Sequence, residues 1–181
     1  MKKCGRYYSW LIVLTATAFI ITAVCVQFMP ESVPMHYNFQ GEIDRYGSKN
    51  ENYIFPVIIA IFNIFWIILM NIFGKRADRA EDEKVRVEAE NNLGVLGITA
   101  IVTSIMFTIM QFVFLIMDIN ASDGQERMPV DINVIENCCL GLVLIIIGNI
   151  VPKCKRNGVI GVRTTWSMDN DTTWEMSNRF G

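Results

Sequence analysis

Four apolar stretches, residues 8–28, 53–73, 93–117 and 134–151, divide the chain, with polar segments between them. Each approaches the ~20 residues needed to cross the hydrocarbon of a bilayer. A backbone in hydrocarbon must satisfy its own hydrogen bonds, so each stretch predicts a transmembrane helix. The fourth is the shortest and opens near Glu136 and Asn137, which places its start among the headgroups. The expected fold is all-α, a polytopic bundle of four transmembrane helices with a short C-terminal segment. It divides into residues 1–75 (two spans and the loop between them), 76–92 (a charged connector), 93–151 (two further spans) and 152–181 (a tail). The first stretch follows Lys2, Lys3 and Arg6, as a secretory signal would. It is too long for a signal core, and Val24 in Thr22-Ala23-Val24-Cys25 occupies the small-residue position of a lipoprotein box, so it reads as a true span.

Charge sets the orientation. Thirteen Lys and Arg lie in the amino-terminal tail, the connector and the carboxy-terminal tail. Only Arg45, Lys49 and Arg127 lie in the other two loops. The positive-inside bias therefore predicts both termini in the cytoplasm. Composition agrees with a membrane protein: 52% of residues are hydrophobic and 19% charged, against about 25% charged in soluble domains. A net charge of −2 with no concentrated basic surface excludes direct nucleic-acid binding. Five cysteines without C-x-x-C spacing and a single histidine, His36, predict neither a metal site nor a cofactor.

The connector, residues 75–92, alternates acids and bases without proline and predicts a solvated helical extension, with Glu81–Arg86 or Asp82–Arg86 as supporting pairs. The third loop, residues 118–131, carries Asp118, Asp123, Glu126 and Asp131 against Arg127, an acidic outer face. The first loop is richer. Pro30 and Pro34 stiffen its start, residues 33–39 alternate as a short extended segment, and Gly41 and Gly47 supply turns. Tyr37, Phe39 and Tyr46 are candidates for the membrane interface. His36, Asp44 and Lys49 form a general-base or binding set only if the fold brings them together.

After Pro152 a basic turn leads to residues 159–167, expected to be extended, and then to a final helical piece capped by Ser167 or Asn170. Trp174 and Asn178, four apart, share a face of that piece. Trp166, Trp174 and Phe180 suit either the inner membrane boundary or a docking patch. Within the spans, Ala16, Ala23, Gly94, Gly97, Gly141 and Gly148 would permit close helix contacts, and Asn63, Asn71, Gln111 and Asn149 would bridge helices.

Two motifs together carry a family resemblance. The first loop, Met29-Pro30…Val33-Pro34-Met35-His36-Tyr37-Asn38…Gly41…Asp44…Gly47-Ser48-Lys49, looks like a bacterial membrane domain long without a function. The tail, Ile160-Gly161-Val162-Arg163-Thr164-Thr165-Trp166-Ser167 with Trp174 and Asn178-Arg179-Phe180-Gly181, resembles the signature of the SdpI immunity family. The resemblance implies a multi-pass protein of the bacterial cell membrane that confers resistance to a secreted antimicrobial peptide toxin. It also implies signal transduction, by holding a small DNA-binding repressor at the membrane. On that basis Pro34, His36, Asn38, Gly41, Asp44 and Lys49 are the candidate toxin-binding residues. Gly161, Arg163, Thr164, Trp166, Trp174, Asn178 and Arg179 are the candidate partner-docking residues. The chain departs from the family in Thr165, where proline is usual, and in stopping where members usually add two further spans, as a shortened member, a frameshifted gene product or a fragment would.

An immunity protein needs binding and no catalysis. A small transporter or exporter subunit is the alternative, disfavoured because the span interiors hold no charged residue. A membrane enzyme using His36 and Asp44 is a third class.

Overall fold

The computed structural model describes residues 2–121, 131–157 and 161–180. Four helices are long and apolar enough to cross a membrane. They are α1 (Lys2–Cys25), α2 (Ile54–Asp78), α3 (Glu83–Ile119) and α4 (Ile132–Ile150), followed by a short amphipathic helix, α5 (Asp171–Phe180). Short 3₁₀ turns extend α1 to Phe28, precede α2 at Lys49–Tyr53 and close α4 at Val151–Lys153. The fold is an α-helical membrane bundle, and every expected span is present. The first begins earlier than the apolar stretch, because Lys2 to Tyr7 continue the same helix.

Between α1 and α2 stands an antiparallel hairpin, β1 (Ser32–Tyr37) and β2 (Ile43–Ser48). The extended character expected of residues 33–39 is present in β1, and the partner strand was not expected. Because α1 and α2 run antiparallel, the hairpin caps one end of the bundle, while the α2–α3 turn and the tail lie at the other.

The outer face of the bundle is apolar, as hydrocarbon favours, and several polar residues are buried inside it among a largely apolar core. Trp10, Ile12, Ile20, Ile61 and Ile64 are exposed, while Thr22, Asn63, Ser104 and Gln111 are buried. Asn63 Nδ2 donates to Leu11 O (3.2 Å), Thr15 Oγ1 (2.8 Å) and Ser104 Oγ (3.1 Å), joining α1, α2 and α3. Gln111 Nε2 donates to Ala18 O at 3.0 Å and to Thr22 Oγ1, and Tyr8 Oη donates to Asn71 at 3.0 Å. Three of the four expected amides therefore bridge helices. Asn149 does not: its amide returns to Ile145 O of its own helix at 2.8 Å.

Of the small residues, Gly97 allows close approach, since a Cβ there would sit 2.5 Å from the Tyr7 ring. Gly94, Gly141 and Gly148 have open space around them, and Ala16 and Ala23 are exposed, so the expected close contacts do not form at those positions. On α1, Ala18 is the small residue that is buried. α4 packs on α3 and leaves Leu142, Leu144 and Ile145 exposed.

α3 has 37 residues, about 55 Å at ~1.5 Å per residue, against a hydrocarbon thickness of ~30 Å. Its polar first turns, from Glu83 to Asn92, therefore project beyond the bilayer. The connector is helical over that part, as expected, but not joined to α2. α2 ends at Asp78, and Asp82 restarts the helix as an N-cap, its carboxylate accepting from Lys84 N at 2.7 Å. The cap occupies Asp82, and Arg86 pairs with Glu83, one turn away, rather than with Glu81 or Asp82.

Candidate functional site

The hairpin is held by its polar residues. Asn38 Oδ1 accepts from Gln40 N and Glu42 N, both at 2.9 Å, and Asn38 N donates to Glu42 O at 2.9 Å. Gly41 completes the turn with φ +74°, a left-handed conformation that costs a Cβ-bearing residue about 1 kcal/mol or more. The register slips at Met35 and again at Asp44, so His36 faces Arg45 and Tyr37 faces Ile43. These compensating bulges turn Asp44 toward His36, whose Nδ1 lies 2.6 Å from Asp44 Oδ1.

At the foot of β2, Ser48 and Glu51 form a capping box over the turn into α2. Asn50 N donates to Ser48 Oγ at 3.3 Å, and Ser48 N to Glu51 Oε1 at 3.0 Å. Gly47, expected to supply a turn, instead lies in β2 opposite Val33, and a Cβ there would lie 2.3 Å from Glu51 Oε1 and displace that side chain from the cap. Lys49 Nζ donates to Glu31 at 2.9 Å, tying the two strand feet together.

The expected set of His36, Asp44 and Lys49 is thus only half assembled: His36 and Asp44 meet, and Lys49 serves Glu31 instead. Pro34 and His36 line a cavity between the hairpin and the bundle, whereas Asn38, Gly41 and Lys49 build the hairpin. That cavity, about 360 Å³, also takes in Tyr37, Phe55, Phe114 and Asp118. Tyr37 is half-buried; burial pushes its pKa up, with smaller upward contributions from Asp118 and Tyr46. Of the other two interface candidates, Phe39 is fully exposed at the tip and Tyr46 is on the margin of exposure.

Asp118 corrects the picture of the third loop. Instead of an outer-surface acid it is 2% exposed, with Oδ2 accepting from Asn52 Nδ2 at 2.8 Å and Oδ1 without a partner among the described residues. Asp131 caps α4, accepting from Asn133 N at 2.9 Å. Asp123, Glu126 and Arg127 lie outside the described residues. No residue count pointed to Asp118 or Asn52. An acid just after an apolar run ordinarily marks a membrane border, and only the α2–α3 packing puts the pair 66 residues apart in contact.

The tail end is built with similar tools. Gly161 has φ +109°, and a Cβ there would lie 2.3 Å from Asn178 Oδ1. That oxygen accepts from Val162 N at 2.7 Å, while Asn178 Nδ2 donates to Trp174 O at 3.0 Å. Trp174 is 1% exposed, its indole N–H donating to Cys154 O at 2.8 Å and its ring packing with Val95. Burial pushes the Cys154 thiol up to about 11. Among the described residues no three His, Cys, Asp or Glu are grouped to hold a metal ion.

The extended run ends sooner than expected. A turn begins at Thr165, with Met168 N donating to Thr164 O at 3.0 Å; residues 158–160 lie outside the described residues. Ser167 is buried inside that turn, exchanging hydrogen bonds with Thr164, so it does not cap α5. Asn170 does, accepting from Thr173 N at 2.9 Å. The candidate docking residues therefore split. Gly161, Thr164, Trp174 and Asn178 fold the tail, while Arg163, Trp166 and Arg179 face outward, Trp166 58% exposed.

The two modules are also the two matched segments. A family model described as a domain of unknown function (DUF1648) matches residues 13–60, covering the hairpin, and the SdpI/YfhL protein family model matches residues 153–181, covering the tail. The chain is 25% identical over 169 residues to the immunity protein SdpI of Bacillus subtilis (strain 168), across 93% of this chain and 71% of that one. Together these likenesses support an SdpI-type family for the chain. No solved structure matches it. With four helices long and apolar enough to cross a membrane and this likeness, it is a multi-pass membrane protein, and the relative it resembles is named for immunity rather than for an enzymatic activity.

Proposed function

We propose that this SdpI-type chain protects a bacterium from a secreted antimicrobial peptide toxin, with the hairpin end outside and both termini in the cytoplasm. The observation that carries the reading is the pairing of the two matched segments with the two ends of the bundle. The hairpin end is poor in Lys and Arg, and the tail end, with the α2–α3 connector, holds most of them. The positive-inside rule then assigns the hairpin to the face a secreted peptide meets. Exposed Arg163, Trp166 and Arg179 are residue types favoured at interaction hot spots, and they would dock a small DNA-binding repressor inside. Binding suffices for both roles. His36 and Asp44 orient one another on the hairpin and need perform no catalysis.

The experiment is survival of a toxin-sensitive Gram-positive strain expressing the chain and challenged with a peptide toxin. Protection is expected, lost on His36→Ala, with the variant still inserted. Protection undiminished by His36→Ala and by Phe39→Ala together removes the hairpin from the role. Orientation is read separately: an impermeant thiol reagent should label Phe39→Cys on whole cells and spare Trp166→Cys.

A further inference from the structure

We propose that the cavity under the hairpin is a binding site for a primary ammonium group on an apolar stem, with Asp118 as its counter-ion. Asp118 is almost wholly buried and forms part of the cavity wall, and its Oδ1 has no donor among the described residues. A buried carboxylate with one oxygen unsatisfied is costly unless a cation or donor meets it.

The other charged groups on the cavity wall do not supply one. Arg45 is engaged by Glu51 at 3.2 Å, and His36 by Asp44 at 2.6 Å. Glu136 adds a further acid, so the lining acids Glu51, Asp118 and Glu136 outnumber its cations. Tyr37 Oη, buried and also without a partner among the described residues, is a second acceptor for an N–H. Phe55 and Phe114, with ring centroids 5.1 Å apart, provide apolar and π surface for a stem and its cationic head.

The kind of cation follows from the same contacts. Asn52 already donates to Asp118 Oδ2, which leaves Oδ1 as the oxygen without a donor among the described residues, and a point-charge ammonium needs only that one acceptor. A metal ion is disfavoured because the described acids do not converge as a ligand set. The site holds whichever molecule carries the ammonium, and it does not depend on the immunity reading.

The test is calorimetric titration of the full chain in lipid nanodiscs. One arm uses n-butylammonium chloride and the other N-acetyl-lysine amide, with n-butanol and magnesium chloride as neutral and divalent controls. Saturable binding of at least one ammonium probe is expected, weakened about tenfold or more by Asp118→Asn, with none for n-butanol. Binding of both probes shows that a free amine and a peptide lysine share the site; binding of one assigns the source. Phe114→Trp keeps the carboxylate and fills the apolar wall. It should also weaken binding, and it carries the test if Asp118→Asn does not fold. No binding to the wild type, binding unchanged in both variants, or displacement of ammonium by equimolar magnesium would overturn the proposal.

Discussion

At the hairpin end, Asn38 and Gly41 turn the chain back on itself; at the tail end, Asn178 holds the chain beside Gly161 through Val162 N. Both pairs place an amide oxygen on backbone N–H groups beside a left-handed glycine. The ends differ in what lies beneath. Below the hairpin, Asp118 and Tyr37 help wall a cavity, each with an oxygen that has no partner among the described residues. Below the tail, the Trp174 indole and both ends of the Asn178 amide are satisfied, and the chain closes over Val95 and Cys154. One end encloses polar atoms left without partners among the described residues, and the other completes its own core and leaves Arg163, Trp166 and Arg179 exposed.

The largest test of this contrast is Trp174→Ala. Removing a fully buried indole should cost about 3–5 kcal/mol, read as loss of hydrogen-exchange protection across α5 with the hairpin amides unaffected. Next come the two glycines. Gly161→Ala combines a positive φ with overlap on Asn178 and should cost about 1–3 kcal/mol. Gly41→Ala has the φ but clear space, its nearest atom being Asp131 Oδ1 at 3.6 Å, and should cost about 1 kcal/mol. Equal losses at the two positions, measured by exchange at each module, would erase the difference in packing.

A smaller effect is expected from pH. The Cys154 thiol is raised from 9.0 to about 11 in the folded chain. The folded state therefore prefers the neutral thiol, a contribution complete below pH 9 and lost as pH climbs toward 11. Tail protection should fall over that window, and Cys154→Ala should flatten the fall. The smallest change in stability, within about 0.5 kcal/mol, belongs to exposed Trp166→Ala. That variant should melt like the wild type, and any partner captured at the membrane through the tail should be released.

The four spans were legible because hydrocarbon imposes a length and a composition that show directly in a sequence. The turn at Gly41 was legible for a related reason, as positive φ narrows the choice of residue. Gly47, also expected to supply a turn, lies within β2, and Gly161, expected in an extended run, is the second glycine with positive φ among the described residues. The two motifs were visible too, though not the division within them. Trp174 and Trp166 look alike on paper, and only packing against Val95 and Cys154 makes one a core residue and leaves the other outside. Likewise Asn149 resembled Asn63, yet α4 offers its amide no neighbouring helix, so it turns back on its own carbonyl.

What the sequence by itself determined is therefore the membrane class, the number of spans and the bias in charge between the two ends, all set by solvent preference acting on single segments. The tertiary structure alone decided the hairpin partnership, the break at Asp82 and the burial of Asp118 against Asn52. Those depend on contacts between segments far apart in the chain, where the energy of a residue is set by neighbours that local pattern does not name.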